Sequence, residues 1–336
     1  MSNSTSEQSL DAKDTSQEQV SRLKQLATKP EFGIFIALLL LSAFFGIMTG
    51  RFFTVRNFFG VLRQTSTIGI MAIGMTILIT SQEFDLSVGS IYALNAVIAG
   101  LLVRDFGINI WIAALICLGV AVVIGIINGL ITVKFGIPSF IVTLGTMMLF
   151  RGFALVLSDG WPISGLPESS FYRVFGGRVW IIPMQAVWFV IIAIIGYIIL
   201  QKSKFGYKVY ATGGNREAAE LSGIDTDRVK IIGFILTAGA ATISALTSLG
   251  YLGSISPTQG EGFELMVIAA SVVGGTNLFG GAGTILGAFL GASIIGVVRN
   301  GLVLMGTGAY WQRAMIGLVI VIAVIVNVQI AKQREA

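Results

Sequence analysis

The 336-residue chain has no histidine and a single cysteine, Cys117. Without an imidazole, a Ser-His-Asp triad, a His-ligated zinc site and an imidazole proton relay are all excluded. One cysteine rules out a disulfide framework and a multi-cysteine metal centre, and Cys117, inside the apolar run 106–133, reads as a small buried hydrophobe. Charge is also scarce. Asp, Glu, Lys and Arg make up 12% of the residues, against roughly 25% in an ordinary soluble domain. A soluble core of this length needs a polar surface that such a sequence cannot supply. The chain also lacks a G-x-x-x-x-G-K-[ST] phosphate loop, so it does not hydrolyse ATP by itself.

Apolar residues fill the chain instead: 54% are hydrophobic and the mean hydropathy is +0.86. A helix crosses the hydrocarbon core with about 20 apolar residues. Charge-poor runs of about that length predict an all-α integral membrane protein of about ten transmembrane helices. The expected spans are 32–50, 57–81, 86–103, 109–133, 138–157, 181–200, 230–252, 262–276, 282–304 and 312–330.

The net charge of +5 belongs to this topology rather than to nucleic-acid binding, because the basic residues flank the apolar runs. The segment 201–230 carries Lys202, Lys204, Lys208, Arg216, Arg228 and Lys230, and basic loops stay in the cytoplasm. Six spans before it and four after it put both termini inside. Arg22, Lys24, Lys29, Lys332 and Arg334 agree, while Arg51 and Arg56 fall outside, against the rule. Residues 1–30, rich in Ser, Gln and alternating charge, lack a signal-peptide pattern and read as a disordered cytoplasmic tail. The longest outer loop, 158–180, is too short to fold as a solute-capturing domain, so capture falls to another chain.

Phe84-Asp85-Leu86 at the start of the third span and Phe263-Glu264-Leu265 at the start of the eighth suggest an internal repeat. Five spans separate them, so the copies would be inverted, as in many transporters. Gly125-x-x-x-Gly129 and Gly283, Gly287 and Gly291 have the spacing that lets membrane helices pack closely.

Polar groups stranded in the apolar spans are the candidate pathway residues: Gln64, Asp85, Ser87, Asn95, Asn128, Thr143, Thr146, Glu264, Asn277 and Asn300. In lipid each needs a partner or water, and amides suit hydroxyl-rich solutes because they both donate and accept. Interhelical bonding is the plainer alternative for the uncharged ones. Asp85 is placed to cap the following helix through the Ser87 or Val88 amide. Arg151 is expected to snorkel or to pair with an acid.

The stretch 206–224 reads as a short capped cytoplasmic helix. Asn215 caps its amino end, Glu217 sits in the first turn where the dipole favours it, and Gly223 suits the left-handed position that ends it. So short a helix is marginal in water unless docked, either on a partner or on the chain's own inner face.

The stretch KSKFGYKVYATGGNREAAELSGI at 202–224 resembles the coupling loop of bacterial ABC sugar permeases of the ribose, xylose and galactoside type, within the branched-chain amino acid/sugar permease superfamily. TIGIMAIGMTILITS at 67–81, FDLSVGS at 84–90, GIINGL at 125–130, PSFIVTLGTMMLFRG at 138–152 and GEGFELMVIAASVVGGTNLFGGAGTILGA at 260–288 match as well. The resemblance covers roughly residues 33–330. It implies a type II ABC importer-like permease in the bacterial cytoplasmic (inner) membrane, with its transmembrane domain over 31–331, 201–230 as the coupling loop, 158–180 as a periplasmic loop and 332–336 as a cytoplasmic tail.

By the same resemblance Gly213, Gly214, Asn215, Glu217, Ala218, Ala219, Ser222 and Gly223 contact a separate ATPase subunit. ATP and Mg are held on that subunit, and this chain binds no cofactor. The other partners implied are a second permease chain, identical or different, a periplasmic or lipoprotein solute-binding protein, and the lipid bilayer. Met266, where many relatives carry Asp, and Glu83, where many lack an acid, depart from the pattern. The rival readings are an ion-coupled secondary transporter with Asp85 or Glu83 as coupling acid, and a membrane enzyme, which scattered acids and absent histidine disfavour.

Overall fold

The computed structural model describes residues 30–308 and 310–318, with 321, 322, 325 and 329; of the expected tails, 1–30 and 332–336, all but Pro30, which opens a helix, lie outside the described residues. The helices are α1 (Pro30–Thr49), α2 (Val55–Thr80), α3 (Val88–Arg104), α4 (Ile110–Phe135), α5 (Ser139–Leu157) and α6 (Ser170–Gly176). A two-stranded hairpin, β1 (Arg178–Val179) and β2 (Ile182–Pro183), leads into α7 (Met184–Tyr197), which runs on as a π-helical turn over Ile198–Lys202. Then follow α8 (Lys204–Gly214), α9 (Arg216–Leu221), α10 (Thr226–Leu252), α11 (Phe263–Val273) and α12 (Ile285–Leu304).

Seven of the described helices are long and apolar enough to cross a membrane: α1, α2, α4, α5, α7 with its π turn, α10 and α12. The third and eighth expected spans are shorter, at 17 and 11 residues for α3 and α11. The tenth is helical over 310–318, and most of its remainder lies outside the described residues. Two surface features also differ from expectation. The segment after α7 forms the extra helix α8 rather than loop. The outer loop is not a plain surface connection either: Ile163 pairs its backbone with Ile255 and is buried, and α6 and the hairpin follow it.

Helices α2, α10 and α12 form the buried centre, and α1, α4, α5 and α7 lie around it with exposed Leu, Ile, Phe and Met side chains. The central helices are rich in small and hydroxyl residues. Several of their hydroxyls return to their own backbone, as Thr80 does to the Thr76 carbonyl (2.7 Å) and Thr237 to the Gly233 carbonyl (2.9 Å), while Ser244 of α10 donates across to the Thr67 carbonyl of α2 (2.7 Å). A polar side chain satisfied this way leaves a smooth surface against which another backbone can pack.

Glycine decides how closely. A methyl group at Gly125 would fall 2.5 Å from the Ile235 Cα, and one at Gly129 would fall 2.9 Å from the Ile231 Cα. On the other side of α10, Gly74 meets Thr237 and Gly233 meets Leu78. In both pairings one number rises as the other falls, so α2 and α4 each run antiparallel to α10. The two ends of the bundle are thereby defined: the α8 face holds Thr80, Phe135 and Thr226, and the α6 face holds Val55, Ile110 and Leu252.

Replacing Gly125 with Leu should destabilise the chain by about 3 kcal/mol, the upper end for overpacking, because backbone rather than a side chain blocks the space. Gly145→Ala, where nothing lies within 4 Å, should leave the thermal unfolding midpoint in detergent unchanged or slightly raised.

Candidate functional site

Two long helices end in breaks rather than at a simple loop. After Thr80 the chain runs irregularly over 81–87 before α3 begins, and after Leu252 it runs irregularly over 253–262 before α11. The repeated triplets fall at these places: Phe84–Leu86 lies in the first break and Phe263–Leu265 opens α11. Because α2 and α10 are antiparallel, the two arrangements are inverted.

The second break meets the start of α3. The Gly89 backbone lies so close to the second break that an added Cβ would be 2.4 Å from the Gly260 carbonyl oxygen and 2.8 Å from Glu264 Oε2. Gln259 Nε2 donates to the Tyr92 hydroxyl at 3.0 Å, and Phe263 packs edge-on to Tyr92 at 5.4 Å. The C-terminal end of α11 leads into the turn where Gly281 donates to the Thr80 carbonyl on the α8 face. Its 11 residues rise about 16 Å, so its N-terminal end sits about halfway through the bundle.

Irregular backbone at that depth must satisfy its carbonyls inside the protein. Arg151 does this. Its Nη1 donates to the carbonyls of Pro257 (2.6 Å) and Gln259 (3.0 Å), and its Nη2 to that of Gly89 (3.2 Å). Among the described residues the guanidinium has no ion pair, and it does not snorkel: against the expectation, it ties α5 to the second break and to the first turn of α3. Glu264 accepts from the Gly262 amide at 3.1 Å.

Below this junction four candidate pathway residues come together. Asp85 Oδ1 accepts from the Ser87 amide (2.7 Å) and hydroxyl (2.5 Å), and Asn128 Nδ2 donates to the Ser87 hydroxyl (3.0 Å). Thr143 Oγ1 accepts from the Leu86 amide at 3.0 Å, and Ser139 Oγ from the Phe84 amide at 3.0 Å. All are buried, and among the described residues Asp85 Oδ2 and Asn128 Oδ1 have no partner.

The other six candidates are dispersed. Thr146 sits one turn above Thr143 and bonds its carbonyl. Asn95 donates to Thr242 Oγ1 at 2.7 Å, joining α3 to α10. Glu264 belongs to the junction. Asn277 accepts from the Phe279 amide in a turn on the α8 face. Gln64 and Asn300 line a cavity of about 1260 Å³ on the α6 face, where Asn300 exchanges amide bonds with Asn57 (3.0 Å each).

On the α8 face the short helix takes the form its caps dictate. Asn215 Oδ1 accepts from the Ala218 amide at 3.0 Å, Glu217 lies in the first turn of α9, and Gly223 has φ +80°. Gly214, Asn215, Glu217, Ala218, Ser222 and Gly223 are exposed. Gly213 and Ala219 are not part of this surface: both are buried, and a methyl at Gly213 would fall 1.9 Å from the Thr80 carbonyl oxygen. Leu221, which sequence reasoning passed over, is 91% exposed.

Charges link α9 to the first break. Arg216 bridges Glu220 (2.7 Å) and Asp227 (2.9 Å), and Thr226 Oγ1 donates to Glu220 at 2.7 Å. The Thr226 hydroxyl and the Arg216 guanidinium hold the Glu220 carboxyl below its ordinary range. One turn into α10, Lys230 Nζ pairs with Glu83 Oε1 at 2.6 Å, and both side chains are buried. Glu83, an outlier by sequence, thus ties the first break to the helix that follows α9.

Lys230→Met would strand a buried carboxylate and should cost about 3 kcal/mol or more in thermal unfolding. Converting both residues, Glu83→Met with Lys230→Met, should recover most of that loss.

The family described as the permease component of the branched-chain amino acid transport system matches residues 57–324. The ribose import permease protein of Escherichia coli (strain K12) is 39% identical over 296 residues, 87% of this chain and 92% of its own length. That of Bacillus subtilis (strain 168) is 38% identical over 300 residues, 89% and 91% of the two chains. The D-allose transport system permease protein of E. coli K12 is 34% identical over 305 residues, 90% and 93%. No solved structure matches the chain. A family match that takes in both breaks and α9, together with relatives aligned over nearly their whole length, places the chain in this family: it is a multi-pass membrane permease subunit of an ABC importer.

Proposed function

We propose that the chain carries a sugar or sugar-like polar solute inward, with the α8 face in the cytoplasm. The observation that supports this most is the surface of α9: a helix of six residues, capped at both ends, that presents exposed Ala218 and a bare Leu221 to solvent. Alone it would be marginal. A small alanine beside a projecting leucine suits insertion into a groove on a partner ATPase, where ATP and Mg are held. A second permease chain, identical or different, completes the pore, and an external binding protein delivers the solute. The relatives named for ribose and allose support a sugar as cargo.

In this reading, closure of the ATPases displaces α9, and the displacement passes through the N-terminal turn of α10 and the Lys230–Glu83 pair into segment 83–87. That segment carries Asp85 and Ser87. Their unpartnered acceptor, with that of Asn128, offers weak polar contacts to passing hydroxyls rather than a tight site. Tight binding belongs to the external protein.

Ala218→Trp should leave the protein in the membrane but weaken its hold on the ATPase about tenfold or more, and abolish the stimulation of ATP hydrolysis by loaded binding protein. Normal stimulation would contradict the docking role. The double change Glu83→Met with Lys230→Met should assemble normally yet remain unstimulated.

A further inference from the structure

The cavity on the α6 face has a charge pattern that neutral-sugar transport leaves unexplained. Its wall brings together Arg51, Arg56, Arg63 and Arg178, and among the described residues no Asp or Glu lines it. Among the described residues none of these guanidinium groups has an ion pair. Arg63 lies over the Tyr251 ring at 4.2 Å and donates to its hydroxyl, which fixes its direction. With the α8 face inside, these cations stand on the side where membrane proteins avoid them. Topology does not explain them.

A second observation points the same way. Gln185, in the same wall, is 2% exposed, and among the described residues neither polar atom of its side-chain amide has a hydrogen-bond partner. Buried amides are rarely left so. An amide both donates and accepts, which matches a sugar hydroxyl, while the planar fork of arginine matches carboxylate and phosphate oxygens.

We propose that this cavity receives a polyhydroxylated solute bearing an anionic group, a carboxylate or a phosphate ester, with the arginines taking the anion and Gln185 a hydroxyl. The inference rests on the importing role proposed above and narrows its substrate class. The cavity's volume of about 1260 Å³ exceeds the roughly 300–1,000 Å³ of a tight small-molecule pocket, so it serves as an entry vestibule. Three of its arginines are exposed and Arg63 is half-buried, so the field draws an anion from the surface toward the buried amide.

The test uses the full chain in phosphatidylcholine nanodiscs, titrated calorimetrically with ribose 5-phosphate, ribose and inorganic phosphate. Ribose 5-phosphate should bind more tightly than either of the others. Arg63→Gln with Arg178→Gln should raise its half-saturating concentration about tenfold or more. Arg178→Gln alone, on an exposed residue, should weaken it in the same direction, and Gln185→Leu should weaken ribose 5-phosphate while leaving inorganic phosphate unchanged.

Equal binding of ribose and ribose 5-phosphate, or no heat from either, would overturn the proposal. So would loss of the signal in phosphatidylglycerol nanodiscs at the same ionic strength, which would assign the arginines to lipid headgroups. Binding of the external protein that depends on the arginines, with flat sugar-phosphate titrations, would assign them to protein docking. ATPase stimulation measured on the same variants keeps a failure of this inference distinct from a failure of the importing role.

Discussion

A peptide carbonyl that leaves its helix inside a membrane protein must find a donor there, and the centre of this fold is organised around that requirement. Two helices end in breaks, the second break meets the start of α3 about halfway through the bundle, and the guanidinium of Arg151 supplies donors to two of the carbonyls set free there, Pro257 and Gln259, and to the Gly89 carbonyl of α3. Arginine suits the task because its several N–H groups are fixed in one plane and it never loses its charge. Loss of the guanidinium would leave several buried acceptors at once, each costing about 1–3 kcal/mol. The close approach of Gly89 to Gly260 and Glu264 depends on the same junction.

Irregular backbone deep in a membrane protein is found where it lines a path or can change shape. Here it is connected outward in both directions. Toward the α8 face the first break is held by the buried Lys230–Glu83 pair, next to the charges that position α9. Toward the α6 face the second break is fastened through Ile255 to the outer loop, where Ile163 packs on Gly100 of α3. A buried ion pair contributes little net stability compared with an apolar pair of the same shape. Its value in this position is directional: it joins a surface helix to a segment that carries polar groups into the interior.

Much of this was legible in the sequence because it is local or compositional. The long helices follow from charge-poor runs, and the Asn215 and Gly223 caps follow from residue type alone, since capping involves neighbours three or four positions away. The Asp85–Ser87 bond was legible for the same reason. The two breaks were read as ordinary boundaries between spans, because a short polar segment has the same composition at a membrane surface or at its centre. Backbone carbonyls occur at every residue, so nothing marked Pro257, Gln259 and Gly89 as the partners of Arg151. Glu83 and Lys230 are separated by 147 positions, and only the antiparallel packing of α2 on α10 brings them together. The pathway candidates were chosen for being polar in apolar spans, which gathers helix-packing groups such as Asn95 together with cavity groups such as Gln64. The expected contact set around α9 follows the resemblance rather than the helix face, and packing turns Gly213 and Ala219 inward and Leu221 outward.

The central claim is that the two breaks form one mechanical unit driven from α9. Hydrogen–deuterium exchange on the assembled importer, with and without a non-hydrolysable ATP analogue, tests it most directly. The account predicts that amides in 83–89 and 257–264 change their exchange together when nucleotide binds, and that neither changes when α9 is prevented from docking. Exchange that alters in α8 and α9 while both breaks stay as they were would contradict it.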